Sequence, residues 1–421
     1  MKILVIGSGG REHAIADAIA QNPRIKQIYV APGNGGTASL ATNVPITADD
    51  VRGLFDFARQ ERIDLTFVGP EVPLSLGIVD LFQQDGLKIV GPTSSNARLE
   101  SSKEFAKQFF KQHRIPTADF WPFHSAAEAY SHLDSMRFPA VVKADGLAAG
   151  KGVVVAETRE QARAAVRDFM ETGTLGKAGT TVVIEEFLTG EEVSFMVFAD
   201  GEAAQPMVMA QDHKRRFDGD KGPNTGGMGA YSIDTILSPE QREEVMRSII
   251  RPTLKNAVNF SGILYAGLMM TANGPKIIEY NTRFGDPETQ VVLPRLKTEL
   301  LDVLFDIAEH RLESRKLEWD AEPSATIALV ASGYPGKIEN GKRVTGLERA
   351  TRQDGVKIYH AGTRMEDGNV FTAGGRVLNV TARGATLTQA LDRAYAACEM
   401  IEFEGKDYRR DIGRKGLAKK R

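Results

Sequence analysis

A carboxylate, an amide and a guanidinium lie at alternate positions near residue 280. The local sequence is E-Y-N-T-R, in which Glu279, Asn281 and Arg283 are two residues apart. In a β-strand such residues project from one face, whereas Ile278 and Tyr280 would project from the other. Carboxylate and amide oxygens suit Mg²⁺ that bridges nucleotide phosphates, and an arginine beside them suits an anion or a developing negative charge. An isolated E-x-N pattern is common, so this interpretation depends on the other segments.

A lysine and a glycine-rich turn form a second candidate site, for phosphate. The sequence A-V-V-K-A-D-G-L-A-A-G-K-G predicts a strand containing Lys143, then a glycine loop, then a second strand from Val153. The loop is not a P-loop, because its glycine spacing is one residue short and a strand follows instead of a helix. We interpret it as a flexible cover over phosphates that Lys143 holds from below. The alternative is that Lys143 only solubilises a strand edge. The loop residues concerned are Gly146, Gly150, Lys151 and Gly152.

Acidic residues follow the next predicted strand. In T-V-V-I-E-E-F-L-T-G-E-E a β-branched run reaches Glu185 and continues through Phe187 to Glu192. The backbone of such a segment can pair with the edge of an adenine, and its carboxylates can accept hydrogen bonds from ribose hydroxyls. Paired glutamates at a strand end are also common on solvated surfaces, which remains the alternative.

A long polar segment, Gln211–Tyr231, comes after these acids. It contains Asp212, His213, Lys214 and Arg215 and is rich in glycine. Loops of this length without hydrophobic periodicity are usually functional or disordered. The mixture of charged side chains favours a functional loop.

The elements that must position these residues begin with an α/β pattern in the first hundred residues. Short apolar runs alternate with helical periodicity, which predicts an open parallel sheet covered on both faces. The strands are expected at Ile3–Ile6, Ile28–Val30, Leu65–Val68 and Leu87–Val90.

Glycine and proline follow each of these strands. The carboxyl ends of strands are where open α/β sheets bind ligands, so the loops predict a binding site for a small molecule. The residues are Gly7, Ser8, Gly9, Gly10, Gly33, Asn34, Pro70 and Glu71. Glu12 occupies the third glycine position of the dinucleotide motif, which disfavours NAD and favours a phosphorylated ligand at the helix start. Plain tight turns are the alternative.

The remaining pattern predicts further elements. A capping box with Ser101 as N-cap and Glu104 three residues later predicts a helix as far as about His113. A hairpin is expected from Val193–Ala199 and Pro206–Ala210. After about residue 322 the pattern indicates a small α+β unit, with its main helix near residues 387–401.

Length and composition limit the class of protein. The 421 residues predict about three domains. A net charge of -2 argues against bulk binding to nucleic acid or to an anionic membrane, and no apolar run is long enough for a membrane span. The single cysteine, Cys398, and the lack of a signal-peptide pattern indicate a cytoplasmic protein. Glycine, at 41 of 421 residues, exceeds the usual ~7%.

Taken together these segments resemble the ATP-grasp superfamily and, within it, the phosphoribosylamine–glycine ligase (glycinamide ribonucleotide synthetase) family. The resemblance covers essentially the whole chain. Its most specific pieces are G-S-G-G-R-E-H from Gly7, D-H-K-R from Asp212 with the later N-T-G-G-M-G, and R-F-G-D-P-E from Arg283.

The resemblance implies a fold and an activity. The fold is an N-terminal α/β domain (1–101), an ATP-grasp domain (102–322) whose smaller flexible lobe spans about 121–190, and a C-terminal α+β domain (323–421). The activity joins glycine to 5-phosphoribosylamine with ATP, through glycyl phosphate, in purine synthesis. The cofactors would be ATP and Mg²⁺ or Mn²⁺, with no nucleic acid or membrane involved. A monomer with transient contacts to neighbouring enzymes of that pathway is compatible with it.

The resemblance also implies roles for individual residues. Lys103 and Lys143 match lysines that contact nucleotide phosphates, and residues 146–152 match the flexible cover. Glu185 and Phe187 match the adenine hinge, and Glu192 the ribose carboxylate. Glu279 and Asn281 match the metal ligands, whereas Arg283 matches the anion-stabilising arginine. Glycine would lie near Asp212 and Arg283, and the sugar phosphate on the N-terminal glycine loops. Alanine at Glu279 or Arg283 is expected to lower turnover far more than it affects folding.

One departure concerns the metal. Many ATP-grasp enzymes supply another acidic ligand from the strand before the E-x-N strand, but Y-A-G-L-M-M, from Tyr265 to Met270, has no carboxylate. We therefore expect one well-defined protein site for Mg²⁺. Rival interpretations are another ATP-grasp ligase or carboxylase, a nicotinamide-dependent oxidoreductase, and a non-catalytic nucleotide sensor.

Overall fold

The computed structural model describes residues 1–148 and 152–418. The first hundred residues form β1 (Lys2–Gly7), α1 (Gly10–Ala20), β2 (Gln27–Pro32), β3 (Thr42–Asn43), α2 (Val51–Glu61), β4 (Leu65–Val68), α3 (Glu71–Ser75), α4 (Ile78–Gln84), β5 (Ile89–Val90) and α5 (Ser94–Ser101). The sheet order is β3-β2-β1-β4-β5 and every pairing is parallel. Leu4 and Val5, neighbours on β1, are both fully buried, so both faces of the sheet are covered. The predicted open parallel sheet is confirmed.

The next segment forms a small antiparallel sheet of order β6-β9-β7-β8. Its elements are α6 (Lys103–Gln112), β6 (Phe120–Phe123), α7 (Ala126–Ser135), β7 (Ala140–Ala144), β8 (Val153–Ala156), α8 (Arg159–Val166) and β9 (Val182–Glu186). The predicted hairpin around the glycine loop is present, since Lys143 pairs with Val153 and the Ala144 N–H donates to the Gly152 carbonyl over 2.8 Å. Gly150 and Lys151 lie outside the described residues.

A larger antiparallel sheet of order β11-β10-β16-β17 follows. The elements of this part are β10 (Glu191–Asp200), β11 (Ala203–Pro206), β12 (Gln211–Asp212), β13 (Arg215–Phe217), β14 (Lys221–Asn224), β15 (Gly229–Ser232), α9 (Pro239–Val245), α10 (Arg251–Asn256), β16 (Ser261–Thr271) and β17 (Gly274–Asn281). The central strands β10 and β16 are almost entirely buried. They form a firm base from which β17, at the sheet edge, presents its polar residues.

The last part contains a fourth sheet of order β12-β15-β18-β23-β20, which joins strands from both sides of residue 322. Its elements are α11 (Thr289–Val292), α12 (Leu300–Ala308), β18 (Ser324–Val330), β19 (Arg343–Val344), α13 (Leu347–Thr351), β20 (Val356–His360), β21 (Thr363–Glu366), β22 (Asn369–Thr372), β23 (Arg376–Arg383), α14 (Leu387–Met400) and α15 (Arg414–Ala418). The predicted α+β character is confirmed. Within 1–148 and 152–418, no helix is long and apolar enough to cross a membrane.

The predicted helix cap is wrong by one residue. Ser101 ends α5, and Ser102 is the N-cap of α6, because its extended backbone lets Oγ accept a hydrogen bond from the Phe105 N–H over 3.1 Å. The Asp145 carboxylate also accepts from the Glu104 N–H over 2.7 Å. The start of α6 is therefore tied to the strand that leads into the glycine loop.

Two predictions in the central part are also wrong. The second hairpin strand is Ala203–Pro206 and not Pro206–Ala210, because the chain turns at Gly201 directly after β10. Gln211–Tyr231 is not an irregular loop: it contains β12, the small hairpin β13–β14, and most of β15. Short paired strands with polar side chains on both faces leave no hydrophobic period to detect.

The strand with the E-x-N pattern contains a β-bulge. Glu279 pairs with Gly267 while Ile277 pairs with Leu268, so Ile278 is an extra residue. The buried residues are consequently Ile277 and Tyr280, at 0% and 2% exposure, with Ile278 only partly buried. The prediction that Ile278 and Tyr280 project from the same face is wrong, because the bulge interrupts the alternation. The bulge turns the Ile278 carbonyl towards Lys143, whose Nζ lies 3.3 Å away.

Candidate active site

Glu279 and Asn281 lie at the end of β17, and Arg283 follows two residues later and contacts Asn281. Arg283 donates a hydrogen bond to Asn281 Oδ1 over 3.1 Å. Burial opposes the ionisation of Glu279, but the Lys214, Lys143, Lys103 and Arg283 cations outweigh it and hold the pKa of this carboxyl below its ordinary value. An ionised carboxylate and an oriented amide oxygen are the oxygen donors that suit Mg²⁺. The described residues contain no group of three or more His, Cys, Asp or Glu side chains able to hold a metal, so such an ion would depend on waters and phosphates for its other ligands.

Two carboxylates hold Arg283: Glu100 is buried, and Glu71 is partly exposed. Its Nη2 lies 2.8 Å from Glu100 Oε1, and its Nε lies 3.5 Å from Glu71 Oε2. The second oxygen of Glu100 accepts from the Thr282 N–H over 2.8 Å. Glu71 begins α3, directly after strand β4 of the N-terminal sheet, so the predicted N-terminal ligand loops and the predicted catalytic arginine meet here.

Lys143, one of the two predicted phosphate lysines, lies in a buried polar group with Lys107 and Glu185. Lys143 Nζ is 2.9 Å from Glu185 Oε1, and Lys107 Nζ is 2.8 Å from Glu185 Oε2. All three side chains are at most 4% exposed. Burial lowers the pKa of Lys107 to about 8, although Glu185 acts in the opposite direction. The Glu185 carboxylate therefore contacts lysines, and only its backbone could serve an adenine edge.

The start of the glycine loop is held by the N-terminal end of α6. Lys103 Nζ donates to the Gly146 carbonyl over 3.1 Å, and Ser102 Oγ donates to Asp145 Oδ1 over 3.0 Å. The Lys103 backbone N–H donates to the Asp145 carbonyl over 3.1 Å. Two predicted phosphate-binding features, Lys103 and the loop, are thus adjacent.

Asp212 and Glu192 share a cation. Lys214 Nζ lies 3.1 Å from Asp212 Oδ2 and 3.6 Å from Glu192 Oε1. Burial, together with the Asp212 and Glu279 charges, raises the pKa of Glu192, against the lowering effect of Lys214. The predicted ribose carboxylate and the predicted glycine-binding aspartate therefore contact the same lysine, Lys214, although the Glu192 side chain is 43% exposed.

The R-F-G-D-P-E segment, which begins at Arg283, is held in place by contacts with the C-terminal part of the chain. Asp286 accepts a hydrogen bond from Gln290 over 2.7 Å and forms an ion pair with Arg376 over 3.2 Å. Arg376 also donates to the Gly226 carbonyl over 2.8 Å. Arg376 thus connects N-T-G-G-M-G, the glycine-rich segment that follows D-H-K-R, to the R-F-G-D-P-E segment.

The N-terminal loops pack against the same region. Gly7 has φ +128°, and an added Cβ would lie 2.5 Å from Glu12 Cγ, so this position requires glycine. Glu12 accepts from the Gly9 N–H over 2.6 Å. Ser8 is exposed. An added Cβ on Gly9 would lie 3.2 Å from Asp286 Oδ2.

The other predicted sugar-phosphate residues differ in their surroundings. The Asn34 amide donates to the Ser8 and His360 carbonyls over 2.9 and 2.8 Å, so this side chain braces the loops. Gly10 is buried, whereas Gly33 and Pro70 are partly exposed. Phe187 is 41% exposed and has none of the ion-pair contacts of the buried group.

The comparisons with known proteins agree with this arrangement. Models of phosphoribosylglycinamide synthetase match its N domain to residues 1–100, its ATP-grasp (A) domain to 101–289 and its C domain to 324–415. The chain belongs to the phosphoribosylglycinamide synthetase family. It is 49% identical to phosphoribosylamine–glycine ligase of Halalkalibacterium halodurans over 100% of this chain and 98% of the relative. The ligase of Allochromatium vinosum is also 49% identical, over the full length of both chains.

Solved structures show the same architecture. The crystal structure of phosphoribosylamine–glycine ligase from Thermotoga maritima superposes with a TM-score of 0.83 at 32% identity, covering 98% of this chain and 100% of that chain. A biotin carboxylase from Campylobacter jejuni has a TM-score of 0.75 at 14% identity, covering 96% and 92%. The second likeness shows the fold alone.

Sequence reasoning missed several residues of this region. Glu288 is the most buried acid among them: its Oε1 accepts hydrogen bonds from Ser194 Oγ over 3.1 Å and from Tyr265 OH over 3.0 Å. Burial and the Asp212 charge raise its pKa. The only signal available in the sequence was the position of Glu288 inside R-F-G-D-P-E. Glu100 and Lys107 gave no signal, because each resembles an ordinary helix residue.

Proposed function

We propose that this chain joins glycine to 5-phosphoribosylamine with ATP, giving glycinamide ribonucleotide, ADP and phosphate in purine synthesis. The observation that carries the proposal is the convergence of Glu279, Asn281 and Arg283 with Glu71, at the start of α3, and with Lys143 of β7. A cationic phosphate region, a metal-suited pair and a loop-lined sheet end occur side by side. Relatives of the same name match the chain over its full length.

The chemistry proceeds in two balanced steps. A glycine carboxylate oxygen attacks the γ-phosphorus, the bond to the β-phosphate oxygen breaks, and ADP leaves with that electron pair. The amine nitrogen of phosphoribosylamine then attacks the carbonyl carbon of glycyl phosphate, expels phosphate and loses a proton. Neither step requires a protein nucleophile, because phosphoryl transfer depends mainly on positioning and charge neutralisation.

The residues of this chain supply that positioning. Lys103 and Lys143 neutralise phosphate oxygens, the loop from Gly146 to Gly152 covers them, and Glu192 accepts from the ribose hydroxyls. The segment from Glu185 to Phe187 is the adenine hinge, and its backbone groups pair with the edge of the adenine. Covering the phosphates also excludes water, which would hydrolyse the acyl phosphate.

The other two substrates, glycine and phosphoribosylamine, bind near Arg283 and the N-terminal loops. This guanidinium stabilises the anion that develops on the transferred phosphate, and Asp212 holds the glycine amino group. The sugar phosphate lies on the loops at the ends of the N-terminal strands. This binding site includes Glu71. The loop residues are Gly7, Ser8, Gly9, Gly10, Gly33, Asn34 and Pro70.

Glu279 and Asn281 would hold one divalent ion, Mg²⁺ or Mn²⁺, which would supply positive charge to the nucleotide phosphates. A second ion would depend mostly on phosphates for its ligands, because β16 offers no carboxylate beside Glu279. A substrate-bound structure with two ions, each having two or more protein ligands, would contradict this assignment.

The organisation proposed with this function is three domains, 1–101, 102–322 and 323–421, with a smaller lobe near 121–190. Small-molecule substrates are the partners, with no nucleic acid, in the cytoplasm. The oligomeric state is proposed to be monomeric, with transient contacts to neighbouring enzymes of the pathway. Sedimentation of the purified chain at several concentrations tests the monomer.

ADP release by the purified full-length chain tests the activity. Release is expected only when glycine and freshly prepared phosphoribosylamine are both present with ATP and Mg²⁺. Bicarbonate-dependent ADP release would favour a carboxylase of the same fold instead. Tight NAD(H) binding would favour the oxidoreductase, and nucleotide binding without turnover would favour a sensor.

A further inference from the structure

The proposed chemistry leaves one buried lysine without a role. Lys107, in the second turn of α6, is 1% exposed. Its Nζ donates to Glu185 Oε2 and to Thr117 Oγ1, each over 2.8 Å. Placing an ammonium group this deep costs free energy unless its charge and hydrogen bonds are compensated. The position therefore calls for a function that a hydrophobic residue could not perform.

Lys107 and Lys143 contact Glu185 differently. Lys107 makes a hydrogen bond to one carboxylate oxygen, Oε2. Lys143 lies 2.9 Å from the other, Oε1, yet Oε1 has no hydrogen-bond partner because the ammonium approaches outside hydrogen-bonding geometry. The hydrogen bond of Lys143 goes instead to the Ile278 carbonyl, at a longer 3.3 Å. Lys107 thus makes both a hydrogen bond and an ion pair with Glu185, whereas Lys143 makes the ion pair alone.

The net charge of Lys107, Lys143 and Glu185 affects how strongly Lys143 can attract an anion. Two ammonium groups and one carboxylate leave a net charge of +1. Without Lys107 the remaining pair would be neutral, and Glu185 would have Lys143 as its only cation in this group. Lys143 would then be both neutralised and drawn away from any phosphate.

The hydrogen bonds also fix the group to the larger sheet. Thr117 Oγ1 accepts from Lys107 and donates to the Ile277 carbonyl over 2.8 Å. Thr117 and Ile277 also form a parallel β-bridge. Lys107 is thereby connected to the residue just before the bulge that carries the Ile278 carbonyl.

We propose that Lys107 is a positioning residue for nucleotide binding: it neutralises Glu185, so that the charge of Lys143 is available to a nucleotide phosphate. This inference rests on the proposed function only in assigning Lys143 to the phosphates of ATP. It adds a residue that never touches the nucleotide and acts through Glu185.

Calorimetric titration with ADP in the presence of Mg²⁺ tests this role without requiring turnover. Lys107→Met removes the charge and keeps the length of the side chain. Its Kd for ADP, and its KM for ATP, are expected to rise on the order of tenfold, the scale of losing one nearby unit charge in a partly polar interior. The kcat at saturating ATP is expected to change less than KM, because ground-state and transition-state binding are weakened together.

The double variant Lys107→Met/Glu185→Gln separates charge from packing. It restores the net charge to +1, so it should recover most of the ADP affinity that Lys107→Met loses. Glu185→Gln alone raises the net charge to +2 and should bind ADP at least as tightly as the double variant, with a lower Tm. Lys111→Met, at an exposed position one turn later on α6, is the matched control and should change neither quantity.

The outcomes distinguish the role from simple structure. If Lys107→Met folds and binds ADP like the parent chain, or if the double variant binds as weakly as Lys107→Met, Lys107 does not act through the charge of Glu185. If Lys107→Met does not fold, weaker ADP binding by Glu185→Gln than by the double variant overturns the proposal. A parent chain that binds ADP but does not join glycine to phosphoribosylamine contradicts the proposed function and leaves the Lys107 comparison intact.

Discussion

Replacing Arg283 by methionine should destabilise the chain as well as stop its reaction. The guanidinium is 17% exposed and compensates Glu100 at 2.8 Å and Glu71 at 3.5 Å. Breaking a buried ion pair by removing one partner costs ~3–5 kcal/mol. At ~2–4 °C per kcal/mol for a domain of this size, we expect the first unfolding transition to fall on the order of 10 °C. The buried contacts therefore change the expectation, made from the sequence, that folding is little affected.

The pH dependence of this loss follows from Glu100. Burial raises its pKa above the ordinary value even in the parent chain, although Arg283 acts in the opposite direction. Without Arg283 the pKa of Glu100 rises further. A carboxyl whose pKa is raised by folding contributes most to stability at a pH below its unfolded pKa of ~4.3, and this contribution is lost as the pH rises through its folded pKa. The difference in stability between variant and parent should therefore widen as the pH rises from the unfolded pKa of ~4.3 into the alkaline range. Scanning calorimetry over this range measures it.

A double variant separates folding from chemistry. In Arg283→Met/Glu100→Gln the amide oxygen can still accept from the Thr282 N–H, so most of the lost Tm should return. Turnover should stay at least ~100-fold low, the usual effect of removing a group that stabilises a developing anion. Arg251→Met, which breaks an exposed pair with Glu243, serves as the control with little change in Tm. An Arg283→Met variant with the parent Tm at pH 8, or a double variant with parent turnover, would refute this reasoning.

Three further predictions concern other buried groups. Glu279→Gln should lower turnover at least ~100-fold at ordinary Mg²⁺ with little change in Tm, and a Mg²⁺ titration with normal half-saturation would contradict its role as a ligand. Burial lowers the pKa of His13 to about 4. The neutral imidazole therefore contributes roughly 3 kcal/mol to stability above pH ~6.5, and this contribution is lost as the pH falls towards 4. His13→Gln should make stability depend less on pH in this range, whereas His124→Gln, at an exposed position, should not. Cys398 is buried and its thiol pKa is raised by that burial, so a thiol reagent should label it only after unfolding, which mass spectrometry can follow.

The sequence predicted the elements that repeat a simple pattern. The N-terminal strands and the hairpin around Lys143 are short apolar runs followed by glycine or proline, and the structure confirms them. The β-bulge at Ile278 was not predictable, because it depends on which residue of β16 each residue of β17 faces. The cap at Ser102 was missed for a similar reason: Asp145, 43 positions away, fixes the serine that begins the helix.

The candidate site was predictable as a set of residues but not as a set of partners. Lys143 and Glu185 were both identified, yet their 2.9 Å contact depends on the pairing of β7 with β9. Lys107 could not be identified, because in sequence it is one lysine among several on an amphipathic helix. A buried cation becomes visible only when the carboxylate that compensates it is placed beside it.

The charged groups of the site come from different parts of the chain. Arg283, at the end of the central sheet, is compensated by Glu71 from helix α3 of the N-terminal part, and Asp286 by Arg376 from the C-terminal part. Each of these ions would be costly to bury alone, so none can be positioned before its partner arrives from another part of the chain. A mutation that loosens the packing between these parts, far from any substrate, should therefore lower activity by leaving Arg283 or Asp286 unpaired. The near-neutral net charge of -2 is thus compatible with a strongly charged site, because the ions are paired locally.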